Sequence, residues 1–305
     1  MATAPETAHR LRTAADAAAA ALPPLLVQAQ RIAATVTLGS HGRRRAGPGE
    51  SFWQFRPYSR DDTPASIDWR QTAKFDTVFV RDREWVAAQT VALWCDMSPS
   101  MDYSSKRNLP TKAERAAVLT IALAELLLEG GERLIRLSPT GVPQRSAASG
   151  RIAVAQLANA LVTEMSAQSK TPVHPQFPTP LPRHAAVVLV SDFLAPLDEI
   201  AANIKTLSRQ GATGHLLQVL DPAEESLPFK GRIRFTGMEA EGTTIVERTE
   251  DARATYMTRI AAQKDGLREL AGRAGWSYAL HHTDRSPQAS LAALHQAMTG
   301  FGPRG

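Results

Sequence analysis

Apolar residues in this chain fall into two alternating periods. Ala185-Ala186-Val187-Val188-Leu189-Val190 is an unbroken apolar run of strand length, the pattern of a central parallel strand covered on both faces. Thr90–Cys95, Arg133–Leu137, His215–Leu220 and Trp276–His281 read as further strands. Between them apolar positions recur every three or four residues. Lys112–Glu129 predicts a long Ala/Leu helix closed by Gly130-Gly131, and Gly150–Met165 predicts a helix with Ile152, Ala155, Leu157, Ala158, Leu161 and Val162 on one broad face. Leu197, Ile200, Ile204 and Leu207 mark another helix, Asp251–Ala274 a long one, and Pro287–Met298 a closing one with Leu291, Leu294 and Met298 inward. Pro172, Pro175, Pro178, Pro180 and Pro182 exclude regular structure between the second helix and the apolar strand. Gly231–Phe235 and Thr243–Glu247 form a β-hairpin inserted at about residues 228–249. Strand and helix in alternation predict an α/β fold: a mostly parallel central sheet with helices on both faces.

This domain is expected over residues 85–300, behind a helical segment (1–38) and an Arg/aromatic, short-stranded extension (39–84). The first segment predicts helices at Thr7–Ala21 and from Pro24 to about Ala34, the latter with Leu25, Leu26, Ala29 and Ile32 on one face. Pro23-Pro24 and the polar residues Asp16, Gln28, Gln30 and Arg31 exclude a membrane span there. In the extension, Ser51-Phe52-Trp53-Gln54-Phe55-Arg56-Pro57-Tyr58 alternates aromatic and polar positions as a half-buried strand does.

Composition narrows the function classes. The chain has 305 residues, 43% of them hydrophobic and 21% charged, with a formal net charge of +5, an ordinary globular balance. A single cysteine, Cys95, excludes an intrachain disulfide, and no Cys/His grouping has zinc spacing, so a cytoplasmic location is expected. Nucleic-acid binding rests on Arg43-Arg44-Arg45 beside Trp53 and Phe55. It is the lesser reading, because Glu50, Asp61, Asp62 and Asp68 share the module and pair with arginines equally well.

The chemistry gathers at two strand ends, where ligand sites of such sheets form. Asp96 follows one strand and Asp192 another. Asp96-Met97-Ser98-Pro99-Ser100 offers a carboxylate and two hydroxyls from one turn, hard oxygens of the kind Mg²⁺ accepts at ~2.1 Å. Taken alone, Asp-x-Ser-x-Ser is equally a turn in which Asp96 and Ser98 satisfy nearby amides. A phosphatase using Asp96 as nucleophile needs a second acid two residues on, and Ser98 stands there. His281-His282, adjacent on a strand, point to opposite faces and do not make a metal pair.

With these motifs the chain resembles the von Willebrand factor A-like superfamily. Gly42-Arg43-Arg44, Gly49-Glu50-Ser51-Phe52, Arg56-Pro57-Tyr58, Ile67-Asp68-Trp69-Arg70 and Asp96-Met97-Ser98-Pro99-Ser100, followed by Val190-Ser191-Asp192-Phe193 and Val219-Leu220-Asp221-Pro222, further resemble the bacterial "domain of unknown function 58" family. The resemblance implies a metal-ion-dependent adhesion site: Asp96, Ser98 and Ser100 as first-loop ligands of Mg²⁺ or Mn²⁺, and Asp192 as a third-loop carboxylate acting through water. The usual second-loop Gly-Thr pair is missing. Thr163, Ser166, Ser169 and Thr171 lie near that position, and Thr171 is taken as the candidate. An ion so held leaves a position for an Asp or Glu of a partner. The resemblance further implies a non-enzymatic adaptor or assembly factor working with a MoxR-type AAA+ ATPase, with Arg56, Asp68 and Arg70 as structural residues that double as candidates for its contact surface.

Overall fold

The computed structural model describes residues 24–36, 52–59, 63–75, 77–83, 89–145, 150–166, 175–237 and 242–300. The expected helix Thr7–Ala21, the Arg43–Arg45 cluster, Ser169 and Thr171 lie outside them. The chain divides into two compact units: Leu38–Ala88, and Met1–Thr37 together with Gln89–Gly305.

Helix α1 (24–36) belongs to the larger unit and buries Leu25, Ala29, Ile32, Ala33 and Val36. In the smaller unit β1 (Phe52–Pro57), the short helix α2 (Trp69–Thr72) and β2 (Phe79–Arg83) follow in order, with β1 and β2 antiparallel and a register shift between Phe52 and Gln54. Asp68 caps α2, its Oδ1 accepting the Gln71 amide at 2.9 Å.

The larger unit then runs through β3 (Thr90–Cys95), α3 (Lys112–Glu129), β4 (Arg133–Leu137), β5 (Pro143–Arg145), α4 (Gly150–Ser166), β6 (Ala186–Ser191), α5 (Leu197–Arg209) and β7 (Thr213–Leu220). It continues with α6 (Pro222–Ser226), β8 (Ile233–Thr236), β9 (Thr243–Val246), α7 (Thr249–Arg273), β10 (Ser277–His282) and α8 (Pro287–Gly300). Six strands form one sheet in the order β10-β7-β6-β3-β4-β5, parallel throughout except for β5 at one edge. β8 and β9 pair antiparallel as the expected hairpin. From β3 the chain builds outward to β4 and β5, then returns to lay β6 against the other side of β3 and proceeds to β7 and β10. The sheet therefore reverses its strand order between β3 and β6.

Period-two alternation divides the core. Val91, Leu93 and Cys95 face one layer with Val188, Val190, Leu217 and Val219, against α1, α3, α4 and α8. Ala92 and Trp94 face the other with Val187, Leu189 and Leu216, against α5 and α7. Helix α3 is buried almost all round, which accounts for an Ala/Leu composition with no polar stripe. Its start is set by a reciprocal cap in which Thr111 Oγ1 accepts the Glu114 amide and Glu114 accepts the Thr111 amide.

One expected face is corrected. Ile152 is 65% exposed, whereas α4 buries Ala153, Val154, Leu157, Ala158, Leu161 and Val162. At 100° per residue Ile152 stands about 120–180° around the helix from Val154, Leu157, Ala158 and Leu161, on the face opposite the buried stripe. Among the described residues no helix is long and apolar enough to cross a membrane.

A Cβ on Gly214 in β7 would lie 2.0 Å from the buried Trp276 ring, so the indole requires a glycine there. Gly214→Ala should cost about 1–3 kcal/mol in urea unfolding. Gly272→Ala, near the end of α7 with open space around its Cβ, should be neutral or mildly stabilising.

Candidate functional site

Three strands of the parallel sheet end on an acid. Asp96, Asp192 and Asp221 are the residues directly after β3, β6 and β7. β3 and β6 flank the reversal of strand order, the position at which sheets of this kind gather ligand sites. The Asp96 amide still donates to Val190 O at 2.8 Å, so this residue is held by the sheet rather than by a free loop.

Asp96 Oδ1 accepts the Ser98 amide at 2.9 Å, and its Oδ2 accepts the Ser191 hydroxyl at 2.7 Å. A single 3-10 turn, Pro99–Met101, follows, and the fully buried Met101 anchors it in the core. That turn sets the Ser98 and Ser100 hydroxyl oxygens 3.0 Å apart, hydrogen-bonded to each other. In the loop after β6, Phe193 adopts φ 47°, a left-handed conformation that a bulky residue holds only when its surroundings impose it. Its amide donates to Ser191 Oγ at 3.1 Å, and its side chain is buried. Ser191 thus ties the two loops together.

Asp192 is fixed from both ends. Its carbonyl accepts Gln218 Nε2 at 2.7 Å, and Gln218 Oε1 in turn accepts the Tyr278 hydroxyl at 2.6 Å, a relay across β6, β7 and β10. Asp192 Oδ2 accepts Lys112 Nζ at 2.8 Å, while Oδ1 takes only a long bond, 3.3 Å, from the Leu194 amide. Lys112, the first residue of α3, is 1% exposed, and its ammonium also donates to Glu224 Oε1 at 2.5 Å. Glu224 Oε2 accepts the Asp221 amide, and Asp221 caps α6 while its Oδ2 accepts the Ser105 amide at 2.9 Å.

Within these contacts the Asp192 and Glu224 carboxylates meet one ammonium, with Asp96 and Asp221 at the ends of the strands on either side of β6. Burial, and next the charge of Asp192, push the Asp96 carboxyl up to about 6, against the pull of its bonds from Ser191 and Ser98. Burial works against the Lys112 ammonium, but Asp192 and Glu224 outweigh it and hold its pKa above the ordinary lysine value. Burial likewise raises Glu224, with Lys112 opposing. Cys95, at the end of β3, is pushed up to about 12 by burial and is no nucleophile.

The first-loop oxygens fit a divalent ion in one checkable respect. Neighbouring ligands of an octahedral Mg²⁺ with bonds of ~2.1 Å lie about 3 Å apart, and the Ser98 and Ser100 hydroxyls are 3.0 Å apart. Excess buried negative charge favours the same occupant. Among the described residues no group of three or more His, Cys, Asp or Glu side chains is placed to hold a metal, so an ion here depends on the serine hydroxyls. Of the second-loop candidates, Thr163 is turned back onto its helix, its hydroxyl donating to Asn159 O.

Lys112, Glu224 and Asp221 had no assigned role in the sequence. Two signals were legible: Asp221-Pro222-Ala223-Glu224 reads as a capping box after an apolar strand, and a lysine at the first position of a helix opposes the helix dipole, so something else must hold it. Arg56, Asp68 and Arg70 belong to the smaller unit, where Arg56 lies opposite Val80 in β1, Asp68 caps α2 and Arg70 is exposed. His281 is buried with Nδ1 on Ser290 Oγ, whereas His282 pairs with Glu225, as opposite faces require.

A family model described as "Protein of unknown function DUF58" matches residues 54–266. The chain belongs to this family. The matched span of this DUF58 chain contains Asp96, Ser98, Ser100, Lys112, Asp192, Asp221 and Glu224. Uncharacterized proteins of Mycobacterium bovis and Mycobacterium tuberculosis are 26% identical to it over 244 residues, covering 73% of this chain and 71% of theirs. Among solved structures, an aerotolerance-related membrane protein from Bacteroides fragilis aligns at 16% identity and a TM-score of 0.42, over 70% of this chain and 100% of that one. BatB from Bacteroides thetaiotaomicron aligns at 16% identity and 0.41, with the same coverage. Superpositions this loose carry no chemical argument.

Asp96 sets a pH dependence. A carboxyl raised from 3.8 to about 6 on folding keeps a proton that the unfolded chain has lost, so its contribution to stability falls as pH rises between those values. Above that window Asp96→Asn should be more stable than wild type by about 3 kcal/mol in chelator-treated buffer, and the two should converge near the lower limit. Urea midpoints at several pH values check this.

Proposed function

We propose that this DUF58 chain is a non-enzymatic protein-interaction module that engages partners at the carboxyl ends of β3 and β6. The observation that carries the reading is the surplus of buried carboxylate at a sheet reversal, beside two hydroxyls spaced as neighbouring ligands of one ion. In the von Willebrand factor A-like pattern that the sequence resembles, Asp96, Ser98 and Ser100 would hold Mg²⁺ or Mn²⁺, with Asp192 acting through water. A bound ion supplies a positive centre with an exchangeable position suited to an Asp or Glu of the partner. The partner class is a MoxR-type AAA+ ATPase, and Arg56, Asp68 and Arg70 remain candidates for a second contact surface.

Support for a binding role over a catalytic one comes from the protonation states. Lys112 is ion-paired twice and its pKa is raised, so it is no base near neutral pH. Ser98, where a phosphatase of the Asp-nucleophile type places its acid, is a hydroxyl.

Calorimetric titration of Mg²⁺ and Mn²⁺ into wild type and Asp96→Ala, repeated with a MoxR-type ATPase present, tests the proposal. Metal binding and ATPase association are expected in the wild type, and both should disappear in the variant and with EDTA. Association that survives both treatments overturns the metal contact, and phosphate-ester hydrolysis lost with Asp96 would install the enzyme instead.

A further inference from the structure

The Lys112 ammonium already occupies one face of the acidic site. It is 1% exposed, it starts α3, and it joins two loops distant in sequence through Asp192 and Glu224. We infer that Lys112 is a built-in counter-cation that competes with the divalent ion for Asp192, so that ion binding is weak in the free protein and tightens when a partner carboxylate arrives. This rests on the metal-binding reading above and adds the device that regulates it.

The electrostatics follow from the named contacts. Asp96 and Asp192 end neighbouring strands, with Cys95 beside Val190 in the parallel register and the Ser191 hydroxyl donating to Asp96 Oδ2, so an ion at the Asp96 loop lies within the field of Asp192 and of the ammonium held on it. Like charges in a poorly solvated site repel far more than in water. Lys112 also takes Asp192 Oδ2 outright and leaves Oδ1 with only the long Leu194 bond. The ammonium therefore offsets part of the buried acid charge without an ion, which keeps Asp192 and Glu224 tolerable so close together. A carboxylate brought by a partner adds the negative charge that the ammonium has cancelled. Ion and partner then bind with positive coupling, each raising the affinity of the other.

Two substitutions in the full chain should move Mn²⁺ affinity in opposite directions. Lys112→Met removes the competitor and should tighten Mn²⁺ binding at least about tenfold, with a larger rise in melting temperature on adding Mn²⁺ than in wild type. Glu224→Gln removes a carboxylate that shares the ammonium, leaves Lys112 to Asp192 alone and should weaken binding severalfold. A merely structural lysine predicts weaker binding in both. If wild type binds Mn²⁺ but Lys112→Met binds no more tightly, the inference is wrong and the metal reading stands; if neither binds, both fall. Should Lys112→Met fail to fold, Glu224→Gln decides alone, since unchanged or tighter binding there overturns the inference.

Discussion

A lysine ammonium withdrawn almost completely from water has to be met by carboxylates, and much of the upper face of this sheet is arranged around that requirement. Desolvating an ammonium and two carboxylates costs several kcal/mol per ion, and removing one partner from such a group typically destabilises a protein by about 3–5 kcal/mol. Lys112 can reach Asp192 and Glu224 only if α3 begins where the Thr111–Glu114 cap places it. The loop after β6 must turn through the left-handed residue Phe193, and α6 must start directly after β7 on its Asp221 cap. Helix start, loop turn and short helix are thus three parts of one electrostatic arrangement.

The same arrangement explains the dual character of the Asp96 turn. Asp96 satisfies a backbone amide in its own loop and a hydroxyl from the neighbouring strand, as a structural turn does. Yet those bonds do not offset its burial beside Asp192, and its carboxyl stays above the ordinary range. A purely structural turn has no need of a second buried acid nearby. Structural economy and charge point in different directions here, and the excess charge favours a cationic occupant.

Local periodicity made most of the fold legible. β3, α3 and β4 fall where their apolar patterns place them, and the unbroken run ending at Val190 is the fully buried central strand β6. The error at Ile152 arose because a broad apolar helix face has an ill-defined edge, and only packing against the sheet decides which side of it is covered. At the site, strand-end acids were readable because sheet geometry brings them together whatever their distance along the chain. Lys112 and Glu224 were not, since their bonds span 80 and 112 residues and no short-range pattern encodes such a pairing.

Gln218 has a further consequence. Its amide is wholly buried and used at both ends, the nitrogen on Asp192 O and the oxygen on the Tyr278 hydroxyl. An acid at 218 would face a carbonyl with no proton to share, and an aliphatic residue would strand two polar groups at once. The identities at 218 and 278 are therefore bound into one mutational unit, anchored on the backbone carbonyl of Asp192. A lineage can drift along the sheet edge at β10 only by routes that keep this amide correctly addressed, so the history of an outer strand is tied to that of the innermost loop.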